Sequence, residues 1–534
     1  VDVVSGEIYP GSFRIADGRI EDLKRETLDE GPYFLPGLID AHVHIESSML
    51  LPSEFARLAV VHGTTGTVSD PHEIANVLGV EGVEFMLSNG SKVPFRFSFG
   101  APSCVPATSF ETSGANLGPA EVERLLQRDD IRYLSEMMNF PGVLYADPEV
   151  MAKLEAAARF GKPVDGHAPG LRGEDAAKYA AAGISTDHEC FDLDEAREKA
   201  GHGMKVLIRE GSAARNFDTL LPLLKEAPGM VMFCSDDKHP DDLVEGHLDV
   251  LIRRALAAGY NTMDVIRAVT LNPVRHYGLN AGLLQEGDPA DFIRVDDLAG
   301  FRVMQTWVGG IKVAENGKSF IESVAEETPN LFNARVPESS DLLVPPGKGK
   351  LRVIQAYDGQ LVTGQVWEEA RIVNGTVVSD TVRDILKMAV LNRYSPALPA
   401  IDFVKGFGLK QGALASTVAH DSHNLICVGT NDVDMLKAMR LLIEHRGGIA
   451  VVNGNDAAVL PLPVAGIMSE RDGYAVARDY QHIDIFAKTL GSTLRSPFMT
   501  LSFMALLVIP SLKLSDKGLF DGQTFSFTGM FESL

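Results

Sequence analysis

Two histidines one residue apart, His42 and His44, close an apolar stretch that reads as a β-strand. Period-two alternation puts both imidazoles on one side of such a strand, which makes half of a metal site. Four later apolar runs end in residues of the same kind: Ser135-Glu136, His167, His188-Glu189 and Ser235-Asp236-Asp237. One strand-end histidine alone is more often a hydrogen-bonded structural residue; five such ends together point to a metal centre. Imidazole and carboxylate suit divalent first-row metals, and a carboxylate can bridge two of them about 3.5 to 4 Å apart. The pattern assigns His42, His44 and Asp236 to one metal, His167 and His188 to a second, and Glu136 to the bridge. Two such ions lower the pKa of a shared water, Asp236 takes its proton, and the product is hydrolysis at an electrophilic carbon. Asp237 is a weaker choice than Asp236, because neighbours on a strand point opposite ways.

These residues need a scaffold that gathers strand ends. Strand candidates are 33 to 45, 64 to 70, 94 to 100, 131 to 137, 162 to 168, 183 to 189, 205 to 211 and 229 to 237, with helical patterns such as 148 to 160 and 244 to 259 between or after them. The expectation is an α/β chain built on a (β/α)8 TIM-like metal-dependent hydrolase barrel over 34–276, whose active site lies at the strand C-terminal ends. An open doubly wound sheet is the alternative, but no glycine-rich nucleotide fingerprint accompanies it. The alternating start VDVVSGEIYPGSFRIADGRI and the later segments 282 to 298 and 301 to 317 share strand-and-turn character. They predict a small β-sandwich from 1–33 plus 277–335. A Pro-, Ser- and Gly-rich linker, VPESSDLLVPPGKGK, leads into a separate C-terminal α/β domain, 336–534.

The 534 residues suffice for two or three domains. A net charge of −23, from 72 acidic against 49 basic residues, and the absence of any Lys/Arg patch argue against nucleic acid or an anionic membrane as partner. Four scattered cysteines, Cys104, Cys190, Cys234 and Cys427, have neither zinc-knuckle nor disulfide spacing, so a reducing, cytoplasmic location is expected. The start has no export-signal pattern, although the missing initiator Met suggests a trimmed end. The longest apolar run, near Phe503 to Ile509, is too short to span a bilayer. A chain of this size is expected to form a homo-oligomer, a dimer or larger.

PGLIDAHVHIESSM, from Pro36 to Met49, resembles the first-strand signature of the amidohydrolase superfamily, and its IESSM extension resembles the bacterial adenine deaminase family within it. SDPHEIANVLG (69 to 79), SEMMNFPGV (135 to 143), DGHAPGL (165 to 171), STDHE (185 to 189), CSDDKHPDDL (234 to 243), VAHDSHNLICVG (418 to 429) and the stretch Met499 to Leu507 resemble segments of the same family. The resemblance implies hydrolytic deamination of adenine to hypoxanthine and ammonia, in purine salvage. It also implies two divalent metal ions per site, with Mn2+ or Fe2+ favoured and Zn2+ a third candidate. Glu136 stands where dihydroorotases and hydantoinases usually carry a carbamylated Lys, which argues against the cyclic-amide hydrolases. The segment before Pro36 is shorter than the family's.

For adenine, hydroxide would attack the ring carbon bearing the amino group, a ring nitrogen would gain a proton, and ammonia would leave protonated. His72 and Glu73, after the second strand, are candidates to polarise the ring or shuttle protons, with Glu73 also placed for the purine pocket. The competing reading is a helix start at Asp70 with Glu73 as capping partner. Glu46 and Ser47 either line the purine pocket or hold the first strand in place. In the C-terminal domain, His420, Asp421 and His423 of HDSHN have metal-like or substrate-binding character; the alternative is a hydrogen-bonded turn. His239 is a minor candidate, and the remaining histidines are read as structural. The zinc deaminases that use a PCxxC pair are excluded, since the chain has no PCxxC. The functional alternatives are a related amidohydrolase acting on another purine or a cyclic amide, and a noncatalytic scaffold that keeps the fold.

Overall fold

Gly37 decides where the first long apolar run divides. A Cβ there would lie 2.0 Å from Thr65 Oγ1, so only hydrogen fits where the chain passes from one sheet into the next. The run expected as one strand from 33 to 45 is therefore two. Tyr33–Pro36 pairs antiparallel with Phe292–Val295, and Leu38–Val43, β1, begins a different sheet. The structure, a computed structural model, describes residues 1–27 and 31–532. Residues 28–30 and 533–534, which fall within the expected sandwich and C-terminal domain, lie outside the described residues.

After β1 come β2 (Thr64–Ser69), β3 (Arg96–Ala101), β4 (Ile131–Met137), β5 (Val164–Gly166), β6 (Thr186–Asp187), β7 (Lys205–Arg209) and β8 (Val231–Cys234), most of them with helices between. β1 to β5 form one parallel sheet and β6 to β8 another. Parallel bridges Val164↔Ile184 and Val43↔Asp236 join the two, so the sheet closes on itself and the open doubly wound alternative falls. The second closure places Asp236 beside β1, with its backbone N–H donating to His42 O at 3.0 Å. Asp40 reinforces this seam by accepting from Ser235 N (3.0 Å), Ser235 Oγ (2.5 Å) and His247 Nε2 (2.9 Å). The strands are buried over most of their length, as a barrel wrapped in helices requires.

The hairpin Gly11–Ala16 with Arg19–Arg25 faces a five-stranded antiparallel sheet made of Tyr33–Pro36, Phe292–Val295, Val303–Val308, Ile311–Glu315 and Lys318–Ser319. Phe13 packs edge-on against Phe34 and Phe292, at 5.5 and 5.2 Å between ring centroids, and seals the space between the two layers.

The C-terminal region is built on an eight-stranded sheet in the order Gly364–Glu368, Leu351–Gln355, Ala400–Lys405, Ile385–Leu391, Leu425–Gly429, Ala413–Ser416, Gly448–Asn453 and Asp456–Pro461. Helix Asp432–His445 buries Met435, Ala438, Met439 and Leu442 against it. The segment read as a linker is instead packed on this sheet: Leu342 and Val344 are buried in its cores, anchored by apolar side chains that its Pro and Gly content obscured. Helix Gly473–Thr489 ties the region to the barrel, its Gly473 N–H donating to Glu54 at 2.8 Å and its cap Asp472 accepting from Arg57 at 2.9 Å. No helix among the described residues is long and apolar enough to cross a membrane.

Candidate metal centre and active site

At the C-terminal mouth of the barrel, the strand ends converge as their spacing implies. His42 Nε2 and His44 Nε2 lie 3.1 Å apart, and Asp236 Oδ1 lies 3.6 and 3.4 Å from them. Glu136, at the end of β4, reaches both halves of the site. Its Oε1 is 3.5 Å from His44 Nε2, while its Oε2 is 2.8 Å from His167 Nδ1 and 3.1 Å from His188 Nε2. The His42 and His188 rings stack at 4.2 Å, which holds the two halves together.

Tautomers decide whether such contacts are hydrogen bonds or a nest of lone pairs. His44 Nδ1 faces Asp70 O at 3.3 Å, where only an N–H can sit, so its Nε2 presents a lone pair to the centre. Burial, with His188 and His44 alongside, holds the His42 imidazole well below its usual range, so it stays neutral. Burial opposes a charge on His167 and His188, but Glu136 outweighs it and raises both, so without an ion they donate to that carboxylate. Although burial opposes ionisation, His167 and His188 hold the Glu136 carboxyl well below the usual carboxylate range. Burial opposes ionisation of Asp236 too, and is outweighed by Arg209 and the surrounding histidines. Imidazole nitrogens and carboxylate oxygens 2.8 to 3.6 Å apart, once the inward nitrogens give up their protons, are spaced to surround a common divalent ion with bonds of about 2.0–2.2 Å. The donor set therefore fits divalent metal, and His42, His44 and Asp236 on one side with His167 and His188 on the other are compact enough to hold it.

The cavity above this cluster is lined by six carboxylates, Glu73, Glu136, Glu189, Asp236, Asp237 and Asp421, against one permanent cation, Arg209. Arg209 was not singled out from the sequence, and Glu189, quoted at its strand end, and Asp70, read as a helix start, were given no place in the site; all three adjoin it. Arg209, the last residue of β7, donates to both oxygens of Glu189 (2.5 and 2.8 Å) and to Asp236 Oδ2 (2.7 Å). Glu189 also approaches His188 and His167 at 3.5 and 3.7 Å. Asp70 lies 3.1 Å from His72 Nδ1. All three stand at or just beyond strand ends, the same signal that marked the histidines.

Two expectations need correcting. Asp237 does not turn away. β8 ends at Cys234, and Asp236 takes a left-handed φ of 55°, so strand alternation no longer applies and both carboxylates reach the cavity. Asp237 accepts from Ser47 Oγ at 2.5 Å. Glu46, expected to line the pocket or to brace β1, braces instead: its Oε1 accepts from Ile74 N at 3.2 Å in the helix after β2, and it lies outside the cavity wall.

Helix His72–Leu78 starts close to the expected place, with Asp70 Oδ1 accepting from His72 N at 3.1 Å. Glu73, however, is no capping partner. Its carboxylate contacts His420 Nδ1 and His423 Nε2, 347 and 350 residues away. His72 faces the cavity with Nδ1 3.5 Å from Glu136 and Nε2 3.7 Å from Asp421. HDSHN thus forms a turn, with His423 N–H bonded to Ala419 O at 2.8 Å, and also part of the site. Phe503, Leu506 and Leu361 from the C-terminal region supply an apolar wall across from the metal ligands. His239 is a helix cap packed on Tyr480 at 4.6 Å and takes no part in the cavity.

Comparison with known proteins agrees with this geometry. Residues 33–313 match the amidohydrolase family, and residues 360–526 match the adenine deaminase C-terminal domain. A protein of Salinibacter ruber named adenine deaminase is 57% identical over 534 residues, covering 99% of this chain and 98% of the relative. Relatives of the same name from Methanosarcina mazei (54%) and Borreliella burgdorferi (45%) show the same coverage, 99% and 98%.

Proposed function

The chain belongs to the amidohydrolase family, and on that premise we propose that it hydrolyses adenine to hypoxanthine and ammonia. The observation that carries this reading is the set of imidazole and carboxylate side chains of His42, His44, Asp236, Glu136, His167 and His188 converging beneath a cavity roofed by an adenine-deaminase-type C-terminal domain. Two divalent cations held by those residues, Mn2+ or Fe2+ before Zn2+, would supply an activated water at neutral pH and polarise the attacked carbon. Glu136 spans the two halves of the donor set with one oxygen toward each.

Asp236 serves as general base. Arg209 keeps its Oδ2 charged and oriented, leaving Oδ1 to receive a proton from the attacking water. His72, buried at the cavity edge with Asp70 3.1 Å from Nδ1 and Glu73 3.3 Å from Nε2, carries ring protons and is placed to donate one to the purine ring nitrogen that gains charge. Glu73, His420 and Asp421 close the far side, and Ser47 holds Asp237 in position. The flat apolar wall of Phe503 and Leu506 suits a planar heteroaromatic ring better than a flexible amide. The four cysteines are free and buried, in keeping with a reducing location.

The test is to mix metal-reconstituted protein with adenine and follow ammonia release and the change in adenine absorbance, beside the Asp236→Asn variant. Adenine turnover that falls by roughly 10²-fold or more in the variant supports the assignment. Turnover of a cyclic amide in place of adenine would overturn the substrate, and unchanged turnover in the variant would overturn the base.

A further inference from the structure

Glu73, His420 and His423 make a second buried cluster of metal-ligand type, and their donor atoms lie close enough to surround an ion. The protonation pattern argues against one. Ala419 N–H donates to His423 Nδ1 at 3.2 Å, which requires a lone pair on that nitrogen. The ring proton of neutral His423 is therefore on Nε2, the atom that meets Glu73 Oε2, and no lone pair remains there for a cation. His44 has the opposite arrangement, with its Nδ1 proton turned to Asp70 O and its Nε2 turned toward the metal-donor set. Glu73 is thus held by an N–H on one oxygen, and its other oxygen meets His420 Nδ1.

This leaves His420 Nε2. It is buried, lines the cavity, and has no hydrogen-bond partner among the described residues. Its nearest acidic atom is Asp237 Oδ1 at 3.9 Å, and the ring lies against Phe503 at 5.3 Å between centroids. A carboxylate behind an imidazole fixes its orientation and favours its charged form. Burial pulls the His420 pKa down, but Glu73 and Asp237 outweigh it and hold it up at about 9.

Resting on the adenine reading above, we propose that His420 is the acid that protonates the departing amino nitrogen, with Glu73 and His423 as its positioning residues. The hydrogens balance. The attacking water forms the new C–O bond and gives up two protons, one of which ends on the ring nitrogen and one on the leaving group. Two imidazoles in the cavity stand outside the metal-donor set, His72 and His420, one for each nitrogen. As the C–N bond breaks, its electron pair stays on the amino nitrogen, which takes the His420 Nε2 proton and leaves as ammonia. The water proton taken by Asp236 and the one released when the carbonyl forms together replace the two that His72 and His420 have given up.

The experiment compares wild type with His420→Gln, each metal-reconstituted, using adenine labelled with 15N at the exocyclic nitrogen. In His420→Gln, kcat should fall roughly 10²- to 10⁴-fold, with metal content unchanged and a larger 15N isotope effect, because C–N cleavage has lost its acid. Glu73→Gln should lower kcat more than it raises KM, and His423→Gln, which keeps an N–H toward Glu73, should retain most of the activity that His423→Ala loses. An unchanged isotope effect, or loss of a metal ion in His420→Gln, would overturn the proposal. A wild type that does not turn over adenine would strike the function itself rather than this role.

Discussion

Two clusters of histidine and carboxylate share one cavity and are wired in opposite senses. On the barrel rim, His44 turns its Nδ1 to a backbone carbonyl and its Nε2 inward, where His42 Nε2 stands 3.1 Å away with Asp236 Oδ1 and Glu136 around them. Beneath the C-terminal roof, each Glu73 oxygen meets a histidine nitrogen, and the His423 tautomer is fixed by a backbone N–H. The first turns a ring nitrogen toward the site of an ion, and the second turns an N–H toward its carboxylate. Composition alone does not separate them, since both consist of imidazoles and a carboxylate; the hydrogen bond on the far nitrogen does.

The sharpest way to break that comparison is to remove the atom that spans the rim cluster. Glu136→Ala should lower adenine turnover by roughly 10³-fold or more and reduce bound metal, because both halves lose a donor at once. Elemental analysis beside the adenine assay reads this, and unchanged metal content would show that Glu136 is no ligand.

Arg209 should come next in size. It is the permanent cation that holds Glu189 and Asp236, and Arg209→Met leaves two buried carboxylates without it. A cost of about 3–5 kcal/mol is expected, as for other broken buried pairs. Urea denaturation of the metal-free protein measures it, and metal binding should recover part of the loss.

Asp402 provides a third case, a buried carboxylate with no cation in contact, Arg352 being the one nearby, and without a full set of donors. Its Oδ1 accepts only its neighbour Phe403 N at 2.7 Å, and Oδ2 has no partner among the described residues. Burial raises its pKa to about 8. A raised carboxyl binds its proton more tightly in the folded state, so its contribution is fully present below about pH 4 and is lost as pH rises toward 8. Asp402→Asn removes that loss. The variant should gain stability over wild type on the order of a few kcal/mol at pH 8, with the gain vanishing near pH 4. Melting temperatures across that range test it, and a gain independent of pH would contradict the assignment.

What could be read from the sequence follows the range of the interaction. The His42-Val43-His44 pair, the strand-end Glu136, His167 and His188, and the eight barrel strands each leave a local pattern of alternation or apolar run, and the family resemblance reinforced it. Asp237 was misjudged because strand alternation was extended past Cys234 into a residue with positive φ. Arg209 was overlooked, and Glu189 quoted without a role, because a charged pair across adjacent strands is legible only once the strands are neighbours. The contact of Glu73 with His420 spans 347 residues and leaves no local trace. Its outline in the sequence was two unexplained motifs, SDPHE and HDSHN, whose joint meaning needed the fold.

The most direct test of the two-cluster account is to titrate Mn2+ into metal-free protein while following adenine absorbance and bound metal together. The account predicts that turnover rises to a plateau at two ions per chain and that a third equivalent neither binds tightly nor adds activity. Full turnover without metal, or a plateau at three, would contradict it.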